Sequence, residues 1–120
     1  MRQIIAMRAS AEEGDVRAQT EMGISYAHGQ GVKKDATEAV KWFRKAAAQG
    51  HAEAQFKLGV CYDTGQGVKK DATEAVKWFR KAALQGFAQA QFNLGVCYAF
   101  GEGVEEDEKK ALLWFNKAAE

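Results

Sequence analysis

Apolar and polar positions along this chain follow a helical rhythm that is interrupted at regular places. From Ala52 to Asp63, the residues Ala54, Leu58, Cys61 and Tyr62 recur at three- and four-residue steps, which predicts a helix with one apolar face. Thr64-Gly65-Gln66-Gly67 then breaks the rhythm. Asp71, with Glu74 three residues later, predicts a capping box: the aspartate accepts from a first-turn N–H and the glutamate reaches back. A second stripe, Ala75, Val76, Phe79, Ala82 and Ala83 with Trp78 alongside, predicts a helix from Ala72 to about Gln85. Glu74 near its start and Arg80 and Lys81 near its end suit the helix dipole. Gly86 follows, where a left-handed residue closes a helix.

This helix–loop–helix unit is written three times. Gly14, Gly50 and Gly86 are 36 residues apart, as are Gln19/Gln55/Gln91, Gly23/Gly59/Gly95, Tyr26/Tyr62/Tyr98, Trp42/Trp78/Trp114 and Phe43/Phe79/Phe115. Such a period predicts a stacked array, because one unit cannot bury its apolar face alone and each covers its neighbour. The expected organisation is a single domain: a leading half-unit over residues 1–14, then units 15–50, 51–86 and 87–120, giving seven helices. Asp35 with Glu38 repeats the capping box, whereas Asp107 is followed by Lys110, so there only the aspartate cap is expected. Residues 29–47 and 65–83 are identical at all nineteen positions, Thr37 and Thr73 included, and packing does not demand that. Recent duplication or consensus design explains it better than function does.

Composition narrows the classes. Seventeen basic against sixteen acidic residues leave a net charge of +1, which argues against a dedicated nucleic-acid binder. No apolar run approaches the ~18 residues that span a bilayer, so no membrane insertion is expected. Met1 to Arg8 holds no long apolar core, so no signal peptide is expected either. Proline is absent, which fits uninterrupted helices punctuated by glycine.

The pattern A-x-A-Q-x-x-L-G-x-x-Y-x-x-G-x-G-V-x-x-D-x-x-x-A-x-x-W-x-x-K-A-A-x-Q-G resembles the Sel-one-like repeat, a cousin of the tetratricopeptide repeat, over nearly the whole chain. The resemblance implies an all-α fold, an antiparallel α/α right-handed superhelix. First helices would line a concave groove and second helices its convex back. It implies a non-catalytic adaptor scaffold that binds a protein or peptide, with no cofactor. Carried over residue by residue, the groove would read Arg17, Thr20, Ile24, Ala27 and His28, then Glu53, Phe56, Val60, Asp63 and Thr64, then Gln89, Phe92, Val96, Ala99 and Phe100. Phe56, Val60, Phe92, Val96 and Phe100 would form an apolar floor, with Arg17, Glu53, Asp63 and Gln89 setting polar specificity. A plainer alternative is that Phe56 and Phe92 complete the packing between neighbouring repeats.

Other chemistry is thin. Cys61 and Cys97 fall on successive first helices, roughly 8–10 Å apart at their axes, beyond the Cα separation of about 7 Å that a disulfide spans, so free buried thiols are expected. Some secreted members of the resembling family carry a disulfide within each repeat. With at most one cysteine in each repeat, this chain lacks that pair, which favours the cytoplasm. Two cysteines and two distant histidines show no metal-ligand spacing. Gly65-Gln66-Gly67 lacks the Lys-Ser/Thr ending of a phosphate loop, and His28 and His51 have no evident catalytic partner, so no enzyme is expected. Two alternatives stand beside the adaptor: a structural or engineered repeat module without a natural ligand and, more remotely, the β-lactam hydrolysis associated with some cysteine-rich relatives.

The loops and the last helix suggest contact between copies. Lys33-Lys34 and Lys69-Lys70 make two loops basic, while Glu102, Glu105, Glu106, Asp107 and Glu108 make the third acidic, a polarity that would favour salt-sensitive head-to-tail contacts. The last helix keeps Leu112, Leu113, Trp114 and Phe115, an apolar face of the internal kind. A homodimer or head-to-tail self-association through the terminal helices is the corresponding expectation.

Overall fold

A computed structural model describes residues 2–120. It is all-helical: α1 (Arg2–Glu12), α2 (Val16–His28), α3 (Ala36–Ala48), α4 (Ala52–Thr64), α5 (Ala72–Leu84), α6 (Ala88–Phe100) and α7 (Glu108–Ala119). Each helix packs chiefly on those before and after it in sequence, which draws the molecule out to 49 × 28 × 20 Å. These are the seven helices the periodicity predicts, and they make a solenoid rather than a sphere.

The helix ends follow from single residues. Gly29, Gly65 and Gly101 end the first helices in the left-handed region, each returning its N–H to the carbonyl of Ser25, Cys61 or Cys97. Asp35, Asp71 and Asp107 cap the second helices, their carboxylates accepting from the N–H of Glu38, Glu74 and Lys110 at 3.1 Å. The expected capping box is only half formed. Glu38 and Glu74 turn instead to Lys41 at 3.7 Å and Lys77 at 3.5 Å. The reason is that the N–H groups of Asp35, Asp71 and Asp107 already donate to the carbonyls of Tyr26, Tyr62 and Tyr98 at 2.9 Å. A reciprocal glutamate has no free donor to meet, and Lys110 in the third repeat forfeits nothing.

The core lies between layers of neighbouring units. Ala75, Val76, Phe79, Ala82 and Ala83 of α5 are buried against Ala90, Leu94, Cys97 and Tyr98 of α6. The corresponding α3 residues meet Ala54, Leu58 and Cys61 of α4. Gly59 is small because the Phe79 ring lies against it: an added Cβ would stand 2.7 Å from two ring carbons. Gly67 is doubly constrained, with φ +77° and the Ala36 carbonyl directly in the path of any side chain.

Two polar ladders run along the array. Gln19, Gln55 and Gln91 are buried and donate to the carbonyls of Ala11, Ala47 and Ala83 at 3.1, 3.3 and 3.2 Å. Gln49 and Gln85 donate in turn to Gln19 Oε1 and Gln55 Oε1 at 2.8 and 2.9 Å. The guanidinium groups of Arg8, Arg44 and Arg80 donate to the hydroxyls of Tyr26, Tyr62 and Tyr98, eighteen residues on, at 2.8, 3.2 and 2.7 Å. Each buried amide thereby finds a partner in the preceding helix, which fixes the register of stacking.

Candidate functional site

The residues expected on the first helices separate into three groups. Phe92 and Phe100 of α6 are large, apolar and exposed, at 54% and 73%. Arg17 and Gln89 are also exposed. Ile24, Phe56, Val60 and Val96 are half-buried. The first three of these pack against the core, Phe56 with its ring 5.9 Å from Phe79 and 5.4 Å from Phe87. Phe56 thus packs mainly between repeats, while Phe92 leans on Phe115 at 5.4 Å and is 54% exposed.

Thr20 is a correction. It aligns with Phe56 and Phe92 but is 2% exposed, and its hydroxyl donates to the Val16 carbonyl at 3.0 Å. A side chain that small cannot emerge past its neighbours, so the position offers no contact surface in the first repeat. The apolar floor is accordingly graded, sunk at the α2 end and raised at the α6 end.

Only part of the expected set converges. Phe56, Gln89 and Phe92 line one open cleft of about 670 Å³, together with Ala88, Asn93, Phe115, Ala118 and Ala119. Arg17 sits apart, in a shallow depression beside Gln3, Met7 and Glu21 on α1 and α2. Glu53 lies 3.9 Å from His51 Nε2, an ion pair only when the imidazole is protonated. Asp63 is half-buried, and its charge helps to raise the pKa of Cys97. First-helix reasoning missed the α7 wall of the cleft. The signal was present: Phe115, Ala118 and Ala119 repeat Phe79, Ala82 and Ala83, which line the equivalent contact one unit earlier.

The cleft is chemically plain. Its lining is apolar apart from the two amides Gln89 and Asn93 and carries no ionisable side chain. Cys61 and Cys97 are free and buried, as expected. Burial pushes the Cys61 thiol above its ordinary pKa, although Lys57 pulls the other way. Burial, with Asp63 and Glu102 nearby, pushes Cys97 up to about 11. Neither is poised as a thiolate nucleophile at neutral pH. Among the described residues no group of three or more His, Cys, Asp or Glu side chains could hold a metal ion, and no helix is long and apolar enough to cross a membrane.

A helical solenoid with an apolar cleft on its first-helix side defines a class, the superhelical repeat proteins. Comparison with known proteins gives the family. The Sel1 repeat model matches residues 16–51, 52–87 and 88–120, and the chain belongs to that family. Its members are generally protein–protein interaction scaffolds. The chain is similar to a protective antigen of uropathogenic Escherichia coli strains displaying this repeat fold, with TM-score 0.93 and 45% identity over 94% of this chain and 24% of that one. It is also similar to a Sel1 repeat protein from Oxalobacter formigenes, with TM-score 0.86 and 44% identity over 88% of this chain and 42% of that one. Cysteine-rich protein B of Helicobacter pylori shares the fold at TM-score 0.73 and 22% identity, over 95% and 86% of the two chains. Among characterised sequences, secretory immunoglobulin A-binding protein EsiB of Escherichia coli O6:H1 is 46% identical over 40 residues, 33% of this chain and 8% of that protein. The chain thus spans less than half of EsiB and of the first two solved relatives.

Proposed function

We propose that this protein is a non-catalytic scaffold that holds a protein or peptide segment against the raised, apolar end of its first-helix face. The observation that carries this reading is the pair of exposed rings, Phe92 and Phe100, on one helix beside the cleft shared with Phe56 and Gln89. Aromatic side chains in partly desolvated pockets supply most of the energy at protein interfaces. The absence of ionisable groups from the cleft favours an apolar anchor flanked by backbone amides that Gln89 and Asn93 can meet. The family's general role supports the reading, and a solved relative from Oxalobacter formigenes shares 44% of its residues over the aligned region.

The test is selection of peptide ligands from a random display library. Parent and Phe92→Ser/Phe100→Ser chains are compared by fluorescence anisotropy with the selected peptides. Both rings are exposed, so the double variant keeps its helical circular dichroism. Ligands that lose at least about tenfold in affinity on the variant support the reading. Ligands indifferent to both rings, or no ligands at all, overturn it.

A further inference from the structure

Units one and two enclose a recess that is separate from the cleft beside Phe92. It holds about 420 Å³ where the ends of α2 and α4 meet the start of α3. Ala39 and Cys61, both buried, and the half-buried Ala27 and Ala36 give it an apolar inner wall. His28, Lys34 and Gln66, all exposed, stand at its mouth. Among the described residues no carboxylate lines it.

The backbone holds this mouth in place. The Asp35 N–H donates to the Tyr26 carbonyl at 2.9 Å, which returns the first loop to α2. Lys34 lies close on Gly29, where an added Cβ would stand 3.3 Å from the Lys34 Cβ. Gly67 lies against the Ala36 carbonyl and so brings its neighbour Gln66 over the first turn of α3. Asp35, the carboxylate next to Lys34 in sequence, is engaged with the Glu38 N–H at 3.1 Å.

The next seat along the array has the opposite character. Lys70, Ala72, Ala75 and Cys97 keep the residue types of Lys34, Ala36, Ala39 and Cys61. Asp63 and Glu102, however, stand in place of Ala27 and Gln66, and Thr64 in place of His28. The thiols record the difference. Beyond burial, the charge acting on Cys61 is the cation of Lys57, whereas at Cys97 the carboxylates of Asp63 and Glu102 come ahead of Arg80. Two seats built on one repeat thus differ in sign. An anion suits the first and is repelled from the second.

We infer that the recess between α2, α3 and α4 is a binding site for a short-chain aliphatic carboxylate. The apolar stem lies against Ala27, Ala36, Ala39 and the Cys61 thiol. The carboxylate meets Lys34, with the His28 ring and the Gln66 amide as further donors at the mouth. A bare anion leaves the inner wall unused, and a neutral apolar molecule leaves the lysine unused. Each methylene buried strengthens binding by about fourfold.

The probe is hexanoate, titrated into the isotope-labelled full chain and followed by amide chemical shifts. The expected result is saturable shifts at Ala27, Lys34, Ala39 and Cys61, half-complete on the order of 1 mM. Acetate, with the head alone, and hexan-1-ol, with the stem alone, should each bind at least about fivefold more weakly. Lys34→Gln, at an exposed position, should weaken hexanoate at least about fivefold. Ala27→Asp/Gln66→Glu introduces the two carboxylates that the fold already carries at Asp63 and Glu102, and it should abolish binding. Asp63→Ala/Thr64→His/Glu102→Gln should confer a second set of shifts around Cys97. No saturable shift at about 50 mM hexanoate overturns the proposal. So does equal affinity for hexan-1-ol, or binding that survives Ala27→Asp/Gln66→Glu. Shifts confined to Phe92 and Phe115 also overturn it, because hexanoate is then held by the other cleft. The Phe92→Ser/Phe100→Ser chain should bind hexanoate as the parent does, so this site and the scaffold reading fail separately.

Discussion

Helices α5 and α7 occupy the same place in successive units, yet they live in different surroundings. Both set a tryptophan, a phenylalanine and an alanine pair at the same positions. In α5 these side chains are buried, with Phe79 at 1% exposure; in α7 only Ala111 is buried, and Trp114 and Phe115 are half-exposed. The difference teaches that one residue pattern contributes stability in proportion to the layers around it. An array of this kind behaves as a sum of nearest-neighbour interfaces, and among the described residues α7 meets one neighbouring helix, α6, where α5 meets two, α4 and α6.

The sharpest way to break the comparison is through one glycine of the loops. Gly67→Ala would force a side chain onto the Ala36 carbonyl at φ +77°, so a destabilisation of roughly 3 kcal/mol or more is expected in urea unfolding. Gly31→Ala, at the matching position of the first repeat, meets only the Ile4 side chain, at 3.6 Å, and carries φ +74° alone. That substitution should cost about 1 kcal/mol, the strain of the left-handed conformation. Equal losses would show that the backbone angle, not the stacked carbonyl, sets the requirement.

A second contrast compares the two rings. Phe79→Ala removes a fully enclosed side chain that touches Gly59 and Phe56, and a loss of about 3–5 kcal/mol is expected. Phe115→Ala truncates a half-exposed ring, and about half that loss is expected. A similar loss at both positions would mean that α7 is as tightly enclosed in solution as α5.

A third contrast concerns the amide ladder. Gln55 both donates to Ala47 and accepts from Gln85, whereas Gln91 donates to Ala83 and, among the described residues, accepts from no glutamine. Gln55→Ala removes two hydrogen bonds, one to the buried Ala47 carbonyl and one from the exposed Gln85 amide, and should cost about 2 kcal/mol; Gln91→Ala removes one and should cost about 1 kcal/mol. Thermal unfolding of the two variants side by side checks the order.

Much of this architecture was legible because the repeat compares the chain with itself. The stripe Ala75, Val76, Phe79, Ala82 and Ala83 reads directly as a buried face, and it is one. The capping box was misread because the sequence shows the glutamate but not the Tyr62 carbonyl that already occupies the Asp71 N–H. At the candidate site, the exposure of Phe92 and Phe100 and the burial of Thr20 could not be separated by alignment, since all were assigned to the same face. Whether a side chain at that position emerges depends on its reach past its neighbours. The α7 wall of the cleft was hidden for a different reason: a residue that packs internally in two units lines a cleft in the third only because its layer is uncovered.

The smallest expected contrast lies between the thiols. Cys61 and Cys97 are both buried, and burial raises the pKa of each. Lys57 works against that rise at Cys61, while Asp63 and Glu102 add to it at Cys97, which reaches about 11. Each folded-state value lies above that of an unfolded cysteine, near 8.5. The thiol contribution to stability is therefore complete below about pH 8.5 and falls as the pH rises toward 11, because the unfolded chain loses its protons first. Paired unfolding curves at pH 7.5 and pH 10 should show Cys97→Ser removing more of this alkaline sensitivity than Cys61→Ser. Alkylation by iodoacetamide, which needs the thiolate, should label Cys61 before Cys97 in the folded chain. Labelling in the reverse order would place the outer layer, α6 and α7, in frequent opening, and would locate the weakest interface of the array beside the uncovered α7 face.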